Sequence, residues 1–375
     1  MRASDRMREN LVIGGGLAGA MAALRLAAGG RDVMLLEKER GAHHKVCGEF
    51  LSPEAVEYLR QAGVDPMRLG GASVGRLRLS VKRRVVEAGL PFNALSLSRC
   101  ALDEALLARA AEAGCDVRRG VTVQALCRSG AGWCAQLSNG TSRRAHNTFL
   151  ATGKHDLRGW NRSAGRHGDL VGFKMHWRLS AAQTEALRGC MDLFLFEGGY
   201  GGLALVEGDT ANLCVVVRRA RLRKLAGWDP LLAALRDENA TIAERLAGAA
   251  AVWDRPLAIS SIPYGYLSEK KDGVWRVGDQ AAVIPSFTGD GMAIAMHSGA
   301  LAAEMFMAGC GPAQYQRVLN HQLKRSMWVA TRLSRAMVSR SGRELAPFVI
   351  SFLPQPIAWI ARSTRIPEQA LVPAV

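Results

Sequence analysis

Aromatic residues are scarce, 6% of the 375 residues, and none interleaves the basic runs Lys82-Arg83-Arg84, Arg118-Arg119, Arg143-Arg144 and Arg218-Arg219. A nucleic-acid partner is therefore not expected, in spite of a formal charge of +16. The surplus of positive charge serves equally well to attract phosphorylated cofactors or an acidic membrane surface. The eight cysteines, Cys47, Cys100, Cys115, Cys127, Cys134, Cys190, Cys214 and Cys310, contain no Cys-x-x-Cys pair and no metal-ligand spacing. No metal is expected, and the thiols read as those of a reducing compartment, with the cytoplasm as the expected location. Also missing is an apolar run of more than about 18 residues free of Gly and Pro, as a spanning helix would need. What is present is a 49% apolar chain, enough for two packed units without disulfide or metal staples. Arg2, Arg6 and Arg8 before the apolar run of residues 11–28 imitate a signal peptide, but the glycines inside that run argue otherwise.

Those glycines fall in a recognisable order. Leu11-Val12-Ile13 is a short β-rich run, followed by Gly14-Gly15-Gly16-Leu17-Ala18-Gly19 and helix-forming residues 20–28. Val33-Met34-Leu35-Leu36 is a second apolar strand, ending in Glu37. Strand, tight turn, helix and strand make a βαβ unit with Gly14-x-Gly16-x-x-Gly19 at its turn. Gly14 permits the turn, Gly16 lets a pyrophosphate approach the backbone, and Gly19 allows the helix to lie close on the sheet. Ala18 lies in the same turn and counts with the cofactor-binding residues. The helix N-terminus offers unpaired N–H groups to phosphates. Glu37 stands 23 positions after Gly14, near the ~20 expected of the carboxylate that binds an adenosine ribose. By itself this unit suits NAD or FAD.

The last third of the chain separates the two. Val274-Trp275-Arg276-Val277 reads as a strand, followed by Gly278-Asp279 and by Pro285-Ser286-Phe287-Thr288-Gly289-Asp290-Gly291-Met292 leading into a helix to Met307. An NAD domain does not need this second element. With these motifs the chain resembles the FAD-dependent flavoprotein superfamily that includes para-hydroxybenzoate hydroxylase and geranylgeranyl reductases, nearer the latter. The resemblance implies that Asp279 holds the ribityl or pyrophosphate part of FAD. It also implies that Gly289, Gly291 and Met292 lie along the pyrimidine edge of the flavin, where a helix N-terminus stabilises the charge of the reduced ring. Ser98-Arg99-Cys100-Ala101-Leu102-Asp103 is a third matching segment. Ser98 is a good N-cap there, and the resemblance implies that Arg99 reaches the FAD. By the same resemblance Val123 offers its backbone to the adenine.

His43-His44-Lys45-Val46-Cys47-Gly48-Glu49-Phe50-Leu51 joins the second strand to a helix capped by Ser52 with Pro53 at its first position. The run resembles the Cys-Gly loop of geranylgeranyl reductases, which implies that Cys47 and Gly48 approach the flavin and that Cys47 donates a proton after hydride transfer. A buried thiol that merely packs is the alternative. His43 and His44 read as polar loop residues, and Glu49 has no assigned role. Two motifs depart from the family. Residues 198–205 lack the aromatic-rich segment of prenyl reductases, and Gly153-Lys154-His155-Asp156 replaces the Asp-Gly motif of hydroxylases.

The expected architecture is mixed α/β. A Rossmann-like FAD domain spans residues 1–165 and 255–310, with a β-meander at 115–150 and a hairpin turn at Asn139-Gly140. An antiparallel substrate sheet spans 166–254, and a helical region follows at 311–375. In the sheet, Val171, Phe173, Met175 and Trp177 alternate with Lys174, His176 and Arg178, so His176 is expected at the surface. Leu319, Leu323, Met327, Ala330 and Met337 mark the inner side of a long helix. Residues 345–360 are expected to cap the substrate cavity, or to touch a membrane peripherally.

The expected function is that of an FAD-dependent oxidoreductase reducing a carbon–carbon double bond in a bulky apolar prenyl, lipid or polyketide-like substrate. The alternatives are an NAD(P)H-dependent flavin monooxygenase and a non-catalytic nucleotide-fold binding protein. No second glycine-rich fingerprint is visible, so electrons are expected from NADPH or NADH docking transiently or from a separate donor protein.

Overall fold

A computed structural model describes residues 7–163, 165, 168–342, 344 and 362–374. Strand Arg8–Ile13 pairs in parallel with Val33–Glu37 on one side and Ser142–Leu150 on the other. Its Leu11, Val12 and Ile13 are buried, because the helix Leu17–Ala28 covers one face and a second apolar cluster around Trp133 and Leu137 covers the other. The full order of this first sheet is Asp116–Arg119, Val33–Glu37, Arg8–Ile13, Ser142–Leu150, Gly132–Leu137, Val123–Ser129. Trp275–Arg276 adds in parallel beside Ser142–Leu150. The meander therefore begins one strand later than expected, because Asp116–Arg119 pairs in parallel with Val33–Glu37. Asn139-Gly140 does turn the chain between the last two meander strands, with Gly140 at φ +79°.

The second sheet runs Ala250–Ala251, Leu170–Arg178, Ala211–Arg218, Gly199–Leu205, Gly189–Phe196, Ala72–Val81, Arg84–Ser96, Phe50–Leu51, with Leu257–Ser260 also against Leu170–Arg178. Most pairs are antiparallel, but Gly189–Phe196 meets Ala72–Val81 in parallel. Three of its strands thus come from residues 50–96, a stretch the sequence pattern placed with the nucleotide domain. The long hairpin of residues 72–96 satisfies its backbone only by pairing there, and so carries that part of the chain across.

Local signals explain the helices that shape the site. Ser98 accepts from the Ala101 amide at 3.1 Å and opens Arg99–Glu112, and Ser52 with Pro53 opens Pro53–Gln61. Gly291–Met307 lies against Leu17–Ala28, and Pro312–Val338 buries Leu319, Leu323, Met327 and Ala330 as its apolar stripe requires. Each of the leucine and methionine side chains stabilises the docking by roughly 1.5–3 kcal/mol relative to exposure. Residues 362–374 return to the nucleotide domain. The Val372 amide donates to Tyr58 at 3.0 Å, and Arg25 donates to the Pro373 carbonyl at 2.8 Å. The expected cap or membrane segment at residues 345–360 lies outside the described residues.

One strand face differs from its sequence pattern. Lys174 and His176 are buried rather than exposed. The alternation is real, but both faces of the strand are covered: one by the cluster around Leu231, Leu235 and Ile242, the other by the loop before Phe50.

Candidate functional site

A cavity of about 490 Å³ opens between the second sheet and the loops that follow the parallel strands Arg8–Ile13, Ser142–Leu150 and Trp275–Arg276 of the first. Gly16 and Ala18 from the first turn, Cys47 and Gly48 from the next loop, and Arg99, Asp279, Gly289, Gly291 and Met292 all line it. Segments separated by more than half the chain thus share one wall. Gly14 and Gly19 contribute beneath it. Gly14 has φ +106°, and a side chain on Gly19 would run into the Gly14 carbonyl. Glu37 and Val123 lie outside the lining. The Glu37 carboxylate accepts from the Gly15 amide at 2.6 Å and the Glu39 amide at 3.0 Å, at the edge of the turn. Val123 begins a strand opposite Leu137 and packs on the cluster around Leu126.

The helices Leu17–Ala28 and Gly291–Met307 both begin at this cavity, and neither has a side chain capping its first amides. Those N–H groups are left for a ligand. A Cβ on Gly16 would meet only the Arg99 guanidinium at 3.5 Å and the Lys45 ammonium at 3.7 Å, and one on Gly291 would meet nothing within 4 Å. An open backbone cradle beside two cations matches a pyrophosphate, and a second open helix start matches the electron-rich edge of a flavin ring. Arg99 reaches Asp103 through two N–H groups at 2.8 and 2.9 Å, and Lys45 reaches the same carboxylate at 2.7 Å. Burial alone would raise the Asp103 carboxyl, but Arg99 and Lys45 outweigh it and hold the group below its ordinary range. Two cations sharing one anion leave a single positive charge facing Gly16.

Lys154 ties the other side together. Its ammonium donates to the Val46 carbonyl at 3.0 Å and lies 3.7 Å from the Asp279 carboxylate. Arg162 donates to the Asp279 carbonyl at 3.0 Å. At the start of Gly291–Met307, burial pushes the Asp290 carboxyl up to about 7, although Arg365 beside it favours the charged form. Arg365 also donates to Glu54 at 2.9 Å and lies 3.8 Å over the Phe92 ring.

Cys47 is half-buried on the cavity wall, and its Sγ accepts from the Glu49 amide at 3.4 Å. Cys214 faces the same space, and burial, with Cys47 nearby, pushes its thiol up to about 12. The sequence reading missed the group behind this turn. Glu49 is buried and paired with Lys174, and its second oxygen lies 3.1 Å from His176 Nε2. His44 packs edge-on against His176, and both rings lie against Trp253. Burial, with Lys174 beside it, pulls the His44 imidazole down to about 4. One ligand atom from each of His44, Glu49 and His176 lies within 4.8 Å of the others, but Lys174 already brings to Glu49 the positive charge a metal ion would bring. The available signal was Lys174 and His176 two apart on one strand face, aimed at the same partner.

This geometry defines a nucleotide-binding α/β fold whose cleft is met by two uncapped helix starts. Residues 8–151 match the FAD binding domain family. The protein is an FAD-dependent oxidoreductase. It is 25% identical over 351 residues to the menaquinone reductase of Mycolicibacterium smegmatis, covering 86% of this chain and 83% of that protein. To digeranylgeranylglycerophospholipid reductase 2 of Methanopyrus kandleri it is 28% identical over 309 residues, covering 79% and 76%. The halogenase PltM, solved also with phloroglucinol and FAD, shares the fold: TM-score 0.76 at 15% identity, covering 96% of this chain and 84% of that one.

Proposed function

We propose that the protein reduces a carbon–carbon double bond in a bulky apolar substrate of prenyl, lipid or polyketide-like character. The observation that carries this reading is the composition of the cavity beyond the cofactor motifs, where Leu79, Leu90, Phe92, Leu193, Val216 and Ile262 form the walls. Such walls bind hydrocarbon and exclude water. Two relatives matched over more than three-quarters of this chain are named as reductases, one of menaquinone and one of a geranylgeranyl lipid, which supports the same class.

When bound, FAD supplies the hydride. The chain's own residues do the rest. Gly16 and the first amides of Leu17–Ala28 hold the pyrophosphate, with Arg99 and Lys45 balancing its charge. The start of Gly291–Met307 favours negative charge on the ring. The apolar walls orient the substrate, and the Cys47 thiol delivers a proton to its carbon. Electrons reach the site from NADH or NADPH docking transiently, or from a donor protein.

The test is turnover of prenylated quinones and geranylgeranyl lipids with NADH, NADPH or dithionite, run anaerobically and again under oxygen, with products read by mass. Recovery of substrate plus two hydrogens supports the reading. A hydroxylated product formed only under oxygen overturns it in favour of a monooxygenase.

We also propose peripheral contact with an anionic membrane through Pro312–Val338. That helix exposes Trp328 with the Arg332 guanidinium 4.2 Å over its ring, and carries Lys324 and Arg325 nearby.

A further inference from the structure

Behind the Cys47–Gly48 turn lies a buried group of charges that neither the cofactor motifs nor the proposed chemistry uses. Lys174 and Glu49 are fully buried and paired. Such a pair is weak evidence for stability, since desolvation offsets most of the attraction, so its retention calls for another reason. The backbone of Glu49 supplies one. Its φ is +58°, a left-handed conformation that costs a non-glycine residue about 1 kcal/mol or more and persists only where surrounding bonds hold it.

Every polar group of Glu49 is engaged in holding that conformation. Its amide donates to Cys47 Sγ at 3.4 Å. Its carbonyl accepts from Ser96 Oγ at 3.0 Å and from the Leu97 amide at 3.1 Å. Its carboxylate takes the Lys174 ammonium, lies against His176 Nε2, and accepts from the Arg99 amide at 2.7 Å. Asn212, on the neighbouring strand, donates to the Cys47 carbonyl at 3.1 Å. Lys174, His176 and Asn212 all belong to the second sheet, whose Gly172 and Cys214 line the same cavity. The substrate sheet therefore grips the turn from behind while the turn presents Cys47 and Gly48 in front.

We propose that Glu49 is a positioning residue: its carboxylate, held by Lys174 and His176 of the substrate sheet, locks the turn that sets the Cys47 thiol against the cavity. The effect on turnover rests on the reductase reading above, but the placement of the thiol does not. The test is the rate at which a maleimide labels Cys47 relative to the exposed Cys127 outside the cavity lining, read by peptide mass in the FAD-loaded protein. In Glu49→Gln that ratio changes about tenfold or more, and kcat falls with KM nearly constant. His176→Leu removes one arm only, and gives a smaller change in the same direction. Glu49→Gln combined with Lys174→Met removes both charges, so thermal stability recovers toward wild type while the labelling ratio stays altered. Wild-type labelling ratios in the folded single variants overturn the proposal, as does a double variant that recovers both stability and ratio. A Cys47→Ala protein turning over at the wild-type rate refutes the proton-donor reading alone, and the labelling comparison still decides the role of Glu49.

Discussion

Glu37 reaches back to the Gly15 amide, where a ribose hydroxyl would compete for the same carboxylate. Loss of a charged hydrogen-bonding partner costs about 1.5–3 kcal/mol. Glu37→Ala is therefore expected to weaken FAD binding about tenfold to a hundredfold, measured by flavin fluorescence quenching on titration of the apoprotein. Asp279→Ala removes a lining carboxylate and its ion pair with Lys154, and loss of retained flavin on gel filtration is expected. Cys47→Ala should keep its yellow colour and turn over more slowly, because the thiol lies on the wall without bonding the cofactor turn. At this scale much was legible. Gly14 and Gly19 occupy positions where a side chain would strain or clash with the backbone, and Gly16, Arg99 and Asp279 line the cavity. Glu49, Lys174 and His176 were not legible, because each is an ordinary polar residue until the fold buries all three together.

Helix Gly291–Met307 lies so close to Leu17–Ala28 that a side chain on Gly299 would meet the Ala18 carbonyl. Gly299→Ala must push the two helices apart at an overpacking cost of about 1–3 kcal/mol. A lowered urea midpoint together with weaker flavin retention is the expected result, since both helix starts face the cofactor cradle. Asp290, at the start of the same helix, couples it to the returning C-terminal segment through Arg365. Its folded pKa of about 7 lies above the ordinary 3.8, so the folded state binds this proton more tightly. Its stabilising contribution is fully present below about pH 4, declines as pH rises, and is gone above about pH 7. The stability of the wild type relative to Asp290→Asn should therefore fall between about pH 4 and about pH 7 and level off beyond, as read from urea melts across that range. Elements with a complete local signal, such as Ser52-Pro53 and Ser98, formed where their caps placed them. The strands of residues 72–96 carry an ordinary alternating pattern, and such a pattern does not say which sheet a strand will join.

Across the molecule, the charge of +16 is spread over a surface that includes the exposed Trp328 on Pro312–Val338. No helix among the described residues is long and apolar enough to cross a membrane. Cosedimentation with anionic vesicles, but not with zwitterionic ones, and release by raised salt are the expected outcomes for peripheral contact. Retention of binding in Trp328→Ala together with Arg332→Ala would move the contact elsewhere.

The sequence by itself determined the glycine turn after Arg8–Ile13, the glycine-marked start of Gly291–Met307 and the caps of the site helices. In each case the backbone conformation or an unpaired amide demands a particular residue within a few positions. Tertiary structure alone decided that the strands Phe50–Leu51, Ala72–Val81 and Arg84–Ser96 join the second sheet, and that Lys174 and His176 turn inward to meet Glu49. Both outcomes depend on which surfaces cover a strand, and a strand's own alternation records two faces without recording what lies against either.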